Sequence, residues 1–143
     1  MMKDLLVWLF IGYNSIMSVE KQPIFITGRF RAGTSLLWQI FDQLEGFCAW
    51  YEPLHPQLIA AIKYTEPKLD HVGIQDYWTA YRQHPEFESL YSMEFSTKDM
   101  YLEEGDEFVE LEAYINHVIR LSAEDVAVLQ FNRMDLRLHG LRA

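Results

Sequence analysis

An eight-residue segment bounded by glycine limits the folds open to this chain more than any other feature. The segment, Gly28-Arg-Phe-Arg-Ala-Gly-Thr-Ser35, lies between a short apolar run at residues 23–27 and residues 36–44, where apolar residues recur at helical spacing. A buried strand, a glycine-rich turn and a helix form the context of a phosphate-binding loop. Glycines let the backbone curl so that its N–H groups point inward, and the helix adds its positive end. The sequence therefore predicts an anion-binding loop.

The side chains of this loop indicate which anion it would hold. Both glycines and Ser35 match the nucleoside triphosphatase pattern G-x-x-x-x-G-K-[ST], but Thr34 stands where that pattern has lysine. Because that lysine reaches the β- and γ-phosphates, a triphosphate is harder to hold without it. Arg31 supplies a planar, bidentate cation instead, and the hydroxyls of Thr34 and Ser35 can donate to the same group. We expect a short anion without a Mg²⁺-bridged triphosphate; a strand–helix turn without ligand is the alternative that the loop pattern alone leaves open.

Strands and helices alternate along the rest of the chain. Further strands are predicted at residues 47–51 and 126–131, and helical patterns at residues 57–63, 74–83 and 107–121. This alternation predicts βαβ units and a parallel sheet. We expect one domain over residues 1–143, an α/β fold of the P-loop NTPase type with three α/β/α layers. In its kinase-like strand order the third predicted strand lies beside the first.

Composition and charge exclude several classes of function. Half of the residues are hydrophobic, so the chain can bury a core. The formal net charge is −9, which makes the chain a poor candidate for binding the negatively charged backbone of nucleic acids. The single cysteine, Cys48, allows no internal disulfide and suits a reducing, cytoplasmic compartment. The apolar run at residues 5–11 is too short to cross a bilayer, and we expect it to form a short amphipathic helix at one edge of the core.

Residues 23–37 resemble the 5′-phosphosulfate loop of the sulfotransferase superfamily. The resemblance is nearest to the branch of protein-tyrosine sulfotransferases and bacterial sulfotransferase-family proteins, whose loop reads roughly P-R-S-G-T-T-L-L. The matching positions are Arg31, Gly33, Thr34, Leu36 and Leu37. The replaced positions are Phe30 for proline, Ala32 for the first serine and Ser35 for the second threonine. The resemblance implies that Arg31, Ala32, Gly33, Thr34 and Ser35 bind 3′-phosphoadenosine 5′-phosphosulfate, the sulfuryl donor, and that transfer uses no metal.

Two later segments extend the resemblance. Residues 48–55 are similar to the second-strand segment that carries a glutamate proposed as general base in this branch, which implies that role for Glu52. Asn132-Arg133 is similar to an Asn-Lys pair whose lysine helps to bind the sulfuryl group, which implies that role for Arg133. The resemblance thus implies Glu52, Arg31 and Arg133 as the catalytic set, acting on a hydroxyl acceptor such as a carbohydrate or a peptide.

The residues themselves leave other roles open. Glu52 also fits an ordinary ion pair, for example with Arg31, because structural ion pairs gather near clefts too. His55 is a rival base, although a histidine before a proline also fits a turn. Arg133 also fits an arginine that caps carbonyl groups at a strand end.

The family's second donor-binding element, an Arg and a Ser for the 3′-phosphate, has no counterpart in these 143 residues. We therefore expect a truncated, N-terminal part of a sulfotransferase that binds the full donor weakly and shows little activity. The outer side of the first predicted strand should then be an uncovered edge, a route to self-association. Two other functions stay open: an ATP-dependent small-molecule kinase with a variant loop, and a non-catalytic remnant that binds phosphate or sulfate.

Overall fold

The computed structural model describes residues 8–10, 21–28, 32–66, 68–69, 73–98 and 106–132. The elements of this part of the chain are β1 Trp8–Phe10, β2 Ile24–Thr27, α1 Thr34–Asp42, β3 Phe47–Tyr51, α2 Leu58–Tyr64, α3 Thr79–Arg82, α4 Phe87–Leu90, α5 Glu94–Thr97, α6 Val109–Leu121 and β4 Val126–Phe131.

Three parallel strands form the centre of the sheet. β4 lies between β2 and β3 and runs parallel to both, with Val128 opposite Ile24 and Val126 opposite Phe47. The parallel sheet and the position of the third predicted strand beside the first are therefore confirmed. Helices pack on both faces of this parallel sheet, so its central strand β4 is buried on both sides, which explains its nearly continuous apolar sequence.

Helices cover both faces of this sheet, so the fold is mixed α/β. On one face, Ile26, Ala49 and Val128 pack around Trp38 of α1. On the other face, a larger cluster joins the sheet to α6, and its members include Trp50, Leu129, Phe131, Phe108, Leu111, Ile115 and Val118. The helix predicted at residues 107–121 thus places its apolar side against the sheet, as the helical spacing of its apolar residues requires.

The N-terminal strand β1 differs from the sequence prediction. Trp8–Phe10 pairs antiparallel with β2, placing Trp8 opposite Thr27 and Phe10 opposite Phe25. The predicted helix is wrong at these residues, and so is the prediction that the outer side of β2 is uncovered. A free strand edge presents unpaired N–H and C=O groups, and an adjacent apolar segment satisfies them by adding a strand. Self-association stays a prediction, but β1 occupies the edge of β2 from which that prediction was derived.

The helix predicted at residues 74–83 is confined to α3, Thr79–Arg82. The carboxylate of Asp76 accepts the backbone N–H of Trp78 at 2.9 Å and the hydroxyl of Thr79 at 3.1 Å. An aspartate that bonds the backbone two residues onward stabilises a turn in competition with a helix. The helix therefore begins only after this turn.

Packing of α6 against the sheet gives a stability prediction. Leu111 is fully buried, whereas Val109 on the same helix is 61% exposed. Leu111→Ala should lower the free energy of unfolding by about 2–5 kcal/mol, because it removes apolar contacts and leaves a cavity. Val109→Ala should change it by less than about 0.5 kcal/mol. Urea denaturation measures both; equal effects would contradict the described packing of α6.

Candidate functional site

Three chain segments meet at the carboxyl ends of the parallel strands. The loop into α1 follows β2, Glu52 follows β3 and Asn132 follows β4. Ligands of open parallel sheets bind at this edge, because the loops there surround a crevice. The sheet topology therefore brings together the described residues of the predicted site.

The two loop glycines each meet a steric requirement. Gly33 immediately precedes α1 in a left-handed conformation, with φ 84° and ψ 16°, and no side chain caps the helix there. Residues other than glycine adopt that conformation at a cost of about 1–2 kcal/mol. At Gly28, a Cβ atom would lie 2.9 Å from Cγ2 of Thr34 and 3.4 Å from the Cβ of Ala32. Gly28 thus lies close to Ala32 and Thr34, and Gly33 leads into a helix start whose N–H groups favour an anion.

The two loop hydroxyls point to the neighbouring strands. Thr34 is buried, and its Oγ1 accepts a hydrogen bond from Nε2 of Gln130 in β4 at 3.2 Å. Oγ of Ser35 lies 3.3 Å from the hydroxyl of Tyr51 in β3, and either group can donate. Both side chains of the predicted anion site are therefore held by the central sheet.

Glu52 is buried and has an uncommon backbone conformation, with φ 41°. Its N–H donates to the carbonyl of Gln130 at 2.8 Å, and its carbonyl accepts the N–H of His55 at 2.9 Å. Its Oε1 accepts a hydrogen bond from Nδ2 of Asn132. A non-glycine residue at positive φ is strained, and such strain gathers at functional sites where surrounding contacts enforce it.

Two buried tyrosines hold the backbone on either side of Glu52. The Tyr81 hydroxyl donates to the carbonyl of Tyr51, and the Tyr114 hydroxyl donates to the carbonyl of Pro53, both at 2.8 Å. Burial raises the pKa of both tyrosines well above the ordinary value, so both stay protonated donors. These contacts account for the maintenance of a strained conformation at this position.

One hydrogen-bonded chain connects the phosphate loop with the carboxylate. Nε2 of Gln130 donates to Oγ1 of Thr34 and, at 2.9 Å, to Oδ1 of Asn132. Nδ2 of Asn132 in turn donates to the carboxylate of Glu52. Gln130 is fully buried. Its amide oxygen and the Thr27 hydroxyl are buried without a hydrogen-bond partner among the residues that the structure describes. Unpaired buried polar atoms are rare in folded proteins, and a bound water, an ion or a ligand group can supply the partner of each.

Sequence reasoning missed Gln130. The only signal was compositional: it is the single polar residue of β4, Val126–Phe131. A polar side chain in a strand that is otherwise apolar and central is costly to bury unless it is hydrogen-bonded. Its partners could not be read from the sequence, because Thr34 is 96 residues away.

A small depression lies beside the carboxylate. It is lined by Glu52, Leu54, Phe131 and Asn132, and these side chains leave almost no room between them for a water molecule. A ligand group could reach the carboxylate from here only if the lining side chains moved apart.

The structure describes His55 among the remaining predicted site residues, but not the two arginines. Arg31 and Arg133 lie outside the described residues. His55 lies in a turn, where its Nδ1 accepts the N–H of Gln57 at 3.1 Å and its ring packs edge-on against Trp78. This environment fits the turn interpretation, and the choice between His55 and Glu52 as base stays a prediction.

Metal binding, membrane insertion, thiol chemistry and similarity to known proteins constrain the function little. No cluster of three His, Cys, Asp or Glu side chains in the described ranges could hold a metal ion. None of the helices described above is long and apolar enough to cross a membrane. Burial raises the pKa of the half-buried Cys48 thiol, which disfavours a reactive thiolate there. No protein-family model, curated protein or solved structure matches the chain.

The contact between Gly28 and Thr34 can be tested by a double mutant. Gly28→Ala should destabilise the protein by about 1–3 kcal/mol, because its new methyl group overlaps Cγ2 of Thr34. Thr34→Ser removes Cγ2, so in that background Gly28→Ala should be better tolerated, with a coupling of at least about 0.5 kcal/mol. Denaturant unfolding of the four proteins measures the coupling.

Gly46→Ala is the matched control. Gly46 also has positive φ, at 81°, but a Cβ atom there meets nothing within 4 Å. Its destabilisation should therefore be independent of Thr34→Ser. A Gly28→Ala cost that Thr34→Ser leaves unchanged would contradict the described loop geometry.

Proposed function

We propose that this chain is a sulfotransferase-type protein that binds the 5′-phosphosulfate end of 3′-phosphoadenosine 5′-phosphosulfate and transfers its sulfuryl group to a hydroxyl acceptor. The observation that carries the proposal is the series of hydrogen bonds from Thr34 of the glycine loop, through Gln130 and Asn132, to Glu52 at the end of β3. It joins an anion-binding element to a carboxylate at the edge where parallel sheets bind ligands. The parallel order β3-β4-β2 further supports a P-loop NTPase-type fold with kinase-like strand order.

The reaction is an in-line displacement at sulfur. The acceptor oxygen bonds to sulfur while the bond between sulfur and the bridging oxygen of the 5′-phosphate breaks, and adenosine 3′,5′-bisphosphate leaves. The acceptor's proton passes to the carboxylate of Glu52. Loop N–H groups, Thr34, Ser35 and Arg31 would stabilise the negative charge on the leaving phosphate, and Arg133, which follows β4 in the sequence, would contribute a further cation.

The acceptor approaches from the depression beside Glu52. Its lining of Leu54 and Phe131 is apolar, whereas Glu52 and Asn132 supply the polar groups. For a hydroxyl on a carbohydrate, a peptide or a small molecule to place its oxygen next to the carboxylate, the lining side chains must move apart, because they leave almost no room for a water-sized group. The lone, half-buried Cys48 supports a reducing, cytoplasmic location as part of the same proposal.

Calorimetry with adenosine 3′,5′-bisphosphate, in the absence of Mg²⁺, tests the anion site. The unmodified chain should bind, and Arg31→Ala should weaken binding about tenfold or more, because a hydrogen bond to a charged group contributes roughly 1.5–3 kcal/mol. Arg120→Ala is the control. Arg120 is exposed in the last turn of α6, which leads to the opposite end of the sheet, so its removal should leave affinity unchanged.

Other results would favour the alternatives. Binding of ATP that requires Mg²⁺, with no affinity for the bisphosphate, would indicate a small-molecule kinase. Binding of sulfate or phosphate without any transfer to a hydroxyl would indicate a non-catalytic remnant. Equal binding by the folded Arg31→Ala variant would rule out the role of Arg31.

Glu52→Gln tests the general base, because it keeps size and removes basicity. In a version of the enzyme that also carries the 3′-phosphate element, sulfuryl transfer should slow by about 10²–10⁴-fold, while affinity for the donor changes little. Glu110→Gln, an exposed position on α6, serves as the control and should transfer normally. Normal turnover of Glu52→Gln together with an inactive His55→Ala variant would assign the base to His55 instead.

A further inference from the structure

We propose that Gln130 is the positioning residue of the anion site: it directs the hydroxyl hydrogen of Thr34 towards the bound anion. This inference rests on the proposed function, since it assumes that an anion binds at the loop. It goes beyond that function by assigning a role to a side chain that does not itself contact the donor or the acceptor.

The direction of each hydrogen bond follows from the carboxylate of Glu52, at which the series of hydrogen bonds ends. An ionised carboxylate only accepts, so the amide nitrogen of Asn132 must face it. The carbonyl oxygen of Asn132 then faces Gln130 and can only accept from it. The Gln130 amide is therefore oriented with its nitrogen between Asn132 and Thr34.

This orientation decides what Thr34 can do. Because Nε2 of Gln130 donates to Oγ1 of Thr34, the threonine oxygen is an acceptor in that bond. Its own hydrogen must then be donated to another group. A hydroxyl that accepts one hydrogen bond is also a stronger donor in the next, since the bonds polarise one another. Thr34 is thereby prepared to donate to an anion at the start of α1.

The backbone makes Gln130 suited to hold this arrangement. It lies in the central strand, opposite Ile26 of β2 and Tyr51 of β3. Its carbonyl also accepts the N–H of Glu52 at 2.8 Å, and the residue is fully buried. A fully buried side chain is closely packed and has little freedom to change its rotamer, so it can fix the geometry of a neighbour on a helix start.

A double-mutant cycle on anion affinity tests the inference, with inorganic sulfate and adenosine 3′,5′-bisphosphate as probes in NMR titrations of the full chain. Gln130→Met has similar size but cannot donate, and should weaken binding roughly three- to tenfold, the effect of one neutral hydrogen bond. Thr34→Val should weaken it about tenfold or more. If Gln130 acts through Thr34, adding Gln130→Met to Thr34→Val should have no further effect.

Ser35→Ala is the matched control, because Ser35 contacts Tyr51 and lies outside the hydrogen-bonded chain. The effects of Gln130→Met and Ser35→Ala should therefore add. If Gln130→Met is unfolded by circular dichroism, Asn132→Ala at an exposed position replaces it. That variant frees the Gln130 amide to turn over, and its loss of affinity should likewise vanish in the Thr34→Val background.

The outcomes separate this inference from the proposed function. Unchanged affinity in folded Gln130→Met, or a loss that persists in the Thr34→Val background, overturns the role of Gln130 while the anion site stands. If the unmodified chain binds neither probe, the proposed function and this inference both fail. A loss that depends on the Thr34 hydroxyl supports the role, because general loosening of the structure would weaken binding in either background.

Discussion

The parallel pairing of β4 with β2 on one side and β3 on the other is the constraint on which the site depends. Parallel strands place their carboxyl ends at one edge, so three loops that are distant in sequence converge there. Thr34 and Gln130 are 96 residues apart, and Glu52 and Asn132 are 80 apart, yet each pair is hydrogen-bonded. A shift of β4 by one residue would turn Gln130 to the opposite face and break these contacts.

Local sequence signals predicted the elements that their own composition determines. The β-rich runs at Phe47–Tyr51 and Val126–Phe131 appear with the predicted bounds, because they are apolar and bordered by turn residues. The loop was predicted from its place between a strand and a helix, and Glu52 from the resemblance of residues 48–55; the roles of both stay predictions. The antiparallel strand Trp8–Phe10 was not, because a short apolar run is equally suited to a helix and only the free edge of β2 decides between them.

At the site, the sequence could not predict contacts between residues that are distant along the chain. The sequence shows that Gln130 is polar and that its neighbours are apolar, but not what the amide bonds. The left-handed conformation of Glu52 is likewise imposed from outside, by Tyr81 and Tyr114, which hold the carbonyls of the residues before and after it. Neither tyrosine belongs to a motif, so their role appears only when the chain is folded.

The hydrogen-bonded chain also explains why a threonine rather than a lysine occupies position 34. A lysine ammonium group has three donors and no acceptor, so it cannot accept the hydrogen bond that Nε2 of Gln130 offers at this position. A lysine at position 34 would place methylene groups where Oγ1 accepts this bond, so Nε2 of Gln130 would lose one of its two acceptors. Under the proposed function, a loop with threonine at this position lacks the lysine that reaches along a triphosphate and has instead a hydroxyl that would donate to a compact anionic group at the glycine turn. The carboxylate of Glu52, at which the series of hydrogen bonds ends, is also the group proposed to accept the proton of the acceptor.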